Sequence, residues 1–202
     1  FWDPSYVWAD GTKGGYMIYY SLLNPAEDQY DRVFYSYADA TFTRLTKPRL
    51  LVDWGYATID ADINYVPADG LYHMLIKKEG GTPGIFAATA TKLTGPYKIK
   101  DENDYVKFEG NKKCEGCSAF QLVGDSTWRV AYIEYSSNPK RYRICQADEK
   151  LANFHSPVTM EGVKHPQHGS FMRLTEEEYK RLQEWSDSIM RERAARNNGE
   201  KK

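Results

Sequence analysis

Asp3, Asp60, Glu115 and His168 stand 57, 55 and 53 residues apart, each at the head of a similar stretch of sequence. Carboxyl and imidazole groups move protons: one acid can give a proton while another takes one or activates a water. Such chemistry needs the groups to converge, although the chain separates them widely. A regular period supplies the means, because residues at one phase of a repeated fold meet in space. Glu115 lies among small residues in Lys113-Cys-Glu-Gly-Cys117. Asp60 lies in Thr58-Ile-Asp-Ala-Asp-Ile63, where strict strand alternation would put Asp60 and Asp62 on one face.

The elements that must position these groups recur at the same beat. Twelve or thirteen residues after each acid comes an aromatic-rich strand: Tyr16–Tyr20, Tyr72–Ile76 and Trp128–Tyr132. A third run follows in each repeat, at Val33–Ala38, Ile85–Ala90 and Tyr142–Ala147. Asp69-Gly70 and Gly124-Asp-Ser126 supply the hairpin turns between the first two strands. Short outer segments are expected at Phe42–Leu45, Leu93–Tyr97 and Leu151–Phe154. Several short strands per period of about 55 residues predict an all-β fold, a β-propeller whose inner strands line one axis. A fourth repeat offers only the inner strand His168–Leu174. Three blades and one strand leave sheet edges open. The expectation is therefore a five-bladed propeller, with a first blade preceding this sequence. Residues 1–174 make the propeller part and 175–202 a C-terminal helix and polar tail. The helix opens on the capping box Thr175-Glu-Glu-Glu178, carries Tyr179, Leu182, Trp185 and Ile189 as a partly apolar stripe, and gives way to a polar tail from Arg191.

Composition narrows the function classes. The chain has 202 residues, 41% hydrophobic and 27% charged, with a formal net charge of −1 and both signs dispersed, so no basic face points to nucleic acid. No apolar run reaches the roughly 18 residues of a membrane span. Sixteen Tyr and five Trp suit sheet packing and also the stacking of sugar rings. Cys114 and Cys117 have CxxC spacing, but no second Cys or His pair stands at zinc-knuckle distance, so buried thiols are expected. Lys77 reads as a solvated charge at a strand end and Arg143 as a strand residue pairing locally. His165 and Gln167 fall on a rim loop before His168.

On these residues the chain resembles glycoside hydrolase family 43, five-bladed propellers that act on arabinose- and xylose-containing glycans. Trp2-Asp3-Pro4 resembles that family's second-blade Trp-Ala-Pro motif. The segment Val52–Ile63 resembles the one whose Asp modulates the pKa of the acid, and Cys114-Glu115-Gly116 with Ser118 and Phe120 resembles the one carrying the general acid. His168-Gly-Ser170 is similar to the last-blade segment whose His lies on the axis, and Thr94-Gly-Pro-Tyr97 to an outer-strand turn. The resemblance implies hydrolysis of α-L-arabinofuranosyl or β-xylosyl linkages by inversion, with Glu115 as general acid and Asp60 as pKa modulator. It implies an oligo- or polysaccharide substrate and no required cofactor, with a calcium or other ion near the axis at His168. It also implies a secreted or periplasmic setting. Trp2, Trp54 and Tyr56 are candidates to stack on sugar. The family's general base is an Asp two blades before the modulator. Asp3 is one repeat before Asp60, which makes it a wall of the substrate site; the alternative, that it is the base, stays open. Two other readings remain at this stage. Fructan and sucrose hydrolases share the propeller, but their Asn-Asp-Pro-Asn-Gly and Arg-Asp-Pro boxes are missing here. A non-catalytic glycan-binding propeller is the other.

Overall fold

A computed structural model describes residues 1–24, 26, 29–80, 84–100, 105–110 and 113–199. The strands are β1 (Trp2–Val7), β2 (Lys13–Leu22), β3 (Arg32–Ala38), β4 (Arg49–Val52), β5 (Thr58–Val66), β6 (Leu71–Lys78), β7 (Gly84–Ala90), β8 (Lys98–Ile99), β9 (Cys114–Phe120), β10 (Trp128–Glu134), β11 (Arg141–Ala147) and β12 (His155–Thr159), with one helix, α1 (Glu176–Gly199). They form three four-stranded antiparallel sheets, each running in chain order from β1, β5 or β9 outward. These are three blades of a β-propeller.

The repeat is visible in the ladder. Tyr16 pairs with Ala38, Tyr72 with Ala90 and Trp128 with Ala147, a large ring opposite a small residue at the same level of each blade. Blades pack through alternating residues. Met74, Ile76, Phe86 and Ala88 of the second blade join Met17, Val33, Tyr35 and Tyr37 of the first. Leu75, Ile85 and Ala87, the intervening residues, join Val130, Tyr132 and Cys145 of the third. The middle blade is therefore buried on both faces, which is why β6 and β7 read as unbroken apolar runs. Cys114, Cys117 and Cys145 are free thiols within that second core. Arg143 does pair, but at long range: its guanidinium meets the buried carboxylate of Glu109, at 3.0 Å from Nε.

Several boundaries differ from expectation. The three outer segments are turns, and the outer strand starts afterwards in each blade. Phe42, Leu151 and Asn153 take positive φ (57°, 51° and 55°), incompatible with a strand. Asp39 and Asp148 organise two of these turns by accepting backbone N–H bonds, from Thr43 at 2.8 Å and from Ala152 at 2.9 Å. Residues 168–174 form no strand. A strand needs a ladder partner for its backbone groups, and none of the described strands pairs with this segment.

Residues 1–170 and 171–202 are two compact units. In the second, Thr175 Oγ accepts from the Glu178 N–H at 3.2 Å while the Glu178 carboxylate accepts from the Thr175 N–H at 2.8 Å, the expected capping box. The helix continues through the expected polar tail to Gly199; residues 200–202 of that tail lie outside the described residues. Among the described residues no helix is long and apolar enough to cross a membrane.

Candidate active site

The site is built on a feature shared by two inner strands. On β5, Ile59 pairs with Lys77 and Asp62 with Leu75, so residues 60 and 61 oppose a single residue of β6. On β9, Glu115 pairs with Ile133 and Ser118 with Ala131, so residues 116 and 117 do the same against β10. Each is a β-bulge, a device that re-aims a side chain. Its first residue is left-handed in both: Asp60 at φ 55° and Gly116 at φ 60°. A β-carbon on Gly116 would sit 2.4 Å from His168 Cδ2, so the glycine makes room for the imidazole. At Asp60 the same backbone position carries a carboxylate in a conformation that costs roughly 1–3 kcal/mol.

His168 lies between the two acids. Its Nδ1 is 3.7 Å from Asp60 Oδ1 and its Nε2 is 3.7 Å from Glu115 Oε1. One ring touches both, so those carboxyl oxygens lie within about 10 Å of each other. Paired glycosidase carboxyls work at roughly 5–10 Å. The Asp60 pKa is raised, first by burial and then by the charge of Glu115, against the opposing pull of His168 and Lys77. Its Oδ2 is buried without a hydrogen-bond partner.

Lys77 is the residue that sequence reasoning misjudged most. It is 1% exposed, with its ammonium 3.1 Å from Glu79 Oε1, 3.1 Å from Tyr135 Oη and 3.5 Å from Glu115 Oε2. Burial works against its charge, but the bonds to Tyr135 and Glu79 outweigh it and hold the pKa above the usual lysine value. Lys77 thus fixes one oxygen of Glu115 while His168 faces the other. Glu79 and Tyr135 carried no sequence signal beyond their places just past β6 and β10.

Asp62 does not share the face of Asp60, because the bulge breaks the alternation. Its carboxylate accepts from the Ala119 N–H at 2.8 Å and from the Asn64 amide at 2.7 Å, tying the second blade to the third.

The structure does not bring Asp3 to the cluster. Trp2 pairs with Tyr16, the counterpart of Tyr72, whose own partner is Tyr65. Trp2 therefore matches Tyr65, at the opposite end of the blade from Asp60. At the level of Lys77 the first blade has Ser21 on β2, and β1 does not reach it. The 57-residue spacing misleads because Trp2 and Tyr16 stand 14 residues apart where Tyr65 and Tyr72 stand 7 apart: the first hairpin is longer, and its ladder also shifts between Asp3 and Val7. Asp3 instead accepts from Tyr37 Oη at 2.6 Å and from Ser5 Oγ at 2.6 Å. Trp2 goes with it, its ring against Tyr16 and over Gly14. Trp54 is partly buried against the core between the first two blades. Tyr56 lines a rim cavity with Ala57, Lys78, Glu79 and Gly80, next to the Lys77 network, and the Lys78 ammonium sits 4.3 Å from its ring centre.

Among the described residues no three His, Cys, Asp or Glu side chains are grouped to hold a metal, and the His168 nitrogens already face two acids.

Bulged inner strands thus bring two carboxyls and an imidazole together in a propeller. The chain belongs to the family described as a probable glycosyl hydrolase domain, related to glycoside hydrolase family 43, whose model matches residues 1–180. In fold it is similar to an endo-arabinase from Bacteroides thetaiotaomicron VPI-5482, with a TM-score of 0.50 and 11% identity over 71% of this chain and 50% of that one. It is also similar to a thermostable family-43 glycoside hydrolase, with a TM-score of 0.50 and 16% identity over 74% of this chain and 51% of that one. The chain thus spans about half the length of these structures. No curated protein matches it by sequence.

Proposed function

We propose that this chain carries the acid centre of a glycoside hydrolase acting on arabinose- or xylose-containing glycans, with Glu115 as general acid and Asp60 as its modulator. The observation that supports this reading is the single imidazole in contact with both carboxyls, one of them partly buried and with its pKa raised by that burial. In this mechanism Glu115 protonates the glycosidic oxygen as the bond to the sugar breaks, and the leaving hydroxyl departs neutral. Lys77 anchors Oε2 of Glu115, which leaves Oε1, on the side of the exposed His168, as the oxygen that meets the substrate. Inversion also needs a second carboxylate that activates a water on the far side of the sugar. The carboxylate that activates this water is not Asp3, which is engaged at the other end of its blade.

The test is hydrolysis of arabino- and xylo-oligosaccharides by the whole protein, with Glu115 intact and as Glu115→Gln. Loss of the acid should lower turnover by about 10²–10⁴-fold on substrates with poor leaving groups and far less on aryl glycosides that leave unaided. An equal loss on both substrate types would remove Glu115 from the acid role. Oligosaccharide binding without any turnover would favour the glycan-binding reading instead.

A further inference from the structure

A second cavity borders the acid centre and has a different character. It has a volume of about 530 Å³ and is lined by Asn138, Pro139, Lys140, Val163, Lys164, His165, Pro166 and Gln167. That volume is in the range of sites that hold small organic ligands. Two loops form its walls, and both lead out of the acid centre. Gln167 adjoins His168, and Asn138 lies three residues from Tyr135, a distance of roughly 10 Å at full extension. Val163 and the two prolines give apolar surface for the carbon face of a sugar ring, while Asn138 and Gln167 offer amide groups for its hydroxyls. Lys140, Lys164 and His165 bring cationic or titratable nitrogen, and no carboxylate is among the described residues that line the cavity. The charge is therefore one-sided on a chain whose charges otherwise nearly balance. His165 is held at φ 50°, a strained conformation for a residue with a β-carbon and one that clusters at binding sites.

Resting on the glycan-hydrolase reading above, we infer that this cavity is a subsite for an acidic sugar unit of the substrate, one bearing a carboxylate or a sulfate, adjacent to the point of cleavage. Lys140 and Lys164 meet the anionic group with charge-assisted hydrogen bonds. The apolar wall takes the ring, and the neutral part of the glycan runs on toward Glu115.

The experiment compares four oligosaccharides of equal backbone length by calorimetric titration of the wild-type chain: a neutral arabino-oligosaccharide, a neutral xylo-oligosaccharide, a glucuronate-substituted xylo-oligosaccharide and a sulfated one. An anionic sugar should bind about tenfold more tightly than its neutral counterpart at low ionic strength. The advantage should shrink with added salt and vanish in Lys140→Gln/Lys164→Gln. Both lysines are exposed, so the double variant should keep the fold. Preference for the glucuronate or the sulfated probe identifies the anion, and either supports the subsite. Equal affinity for neutral and anionic probes, or an advantage that survives in the double variant, overturns it and leaves the function reading standing. Failure of all four to bind overturns both.

Discussion

Gly116 and Asp60 occupy the same backbone position in two blades and use it in opposite ways. One removes a side chain so that His168 can enter, and the other supplies a carboxylate. Gly116→Ala should cost about 1–3 kcal/mol through its positive φ. It should also push His168 off the acid pair, which altered imidazole shifts in an NMR spectrum would report; unchanged shifts would show that the glycine is not what seats the ring. At this scale the sequence was legible where the period ran true. Asp60 and Glu115 were found because they lie within one residue of the same phase on two inner strands, and His168 by its spacing alone, since residues 168–174 form no strand. Asp3 was misplaced because the first hairpin is longer than the second and its ladder shifts in β1, which moves Asp3 along the blade without altering the composition. Lys77 escaped because a lysine at a strand end looks solvated, and only the neighbouring blade supplies the Glu115 and Tyr135 that keep it charged in the interior.

At the scale of elements, the seam between β5 and β9 is titratable. Burial raises the Asp62 pKa to about 6, despite the opposing bonds from Ala119 and Asn64. The folded state then holds this proton more tightly than the unfolded chain, whose value is near 4. Stability from this group is fully present below about pH 4 and is lost as pH rises through about 6, by roughly 3 kcal/mol in all. Asp60, also raised, adds a slope of the same sign. Urea unfolding at pH 4.5 and pH 7 should show the wild type losing more stability across this window than Asp62→Asn; identical slopes would exclude Asp62 as the source. The strands themselves were readable from their apolar runs. Their outer neighbours were not, because the residues before them have enough apolar character for a strand while Asp39 and Asp148 bend the backbone into turns.

At the scale of the molecule, the blades and the helical unit are separate in their internal contacts. A chain ending at Ser170 should keep its β-sheet circular dichroism and melt within about 2 °C of the full chain, having lost only the helical signal; collapse of the sheet signal would show that the blades depend on residues 171–202. The period near 55 residues made the propeller legible, and its aromatic strands located the blades. The reason they stay in phase was visible only in the ladder. The ring–alanine pairs at Tyr16, Tyr72 and Trp128 mark the same register in each blade. Slipping β6 by one residue would drive Tyr72 against Thr89 and turn every side chain of that strand to the other face, carrying Lys77 away from Glu115. Tyr72 lies five residues along β6 from Lys77, roughly 16 Å away. The alignment of the acid centre therefore shares one ladder register with a ring–alanine pair at the far end of the blade.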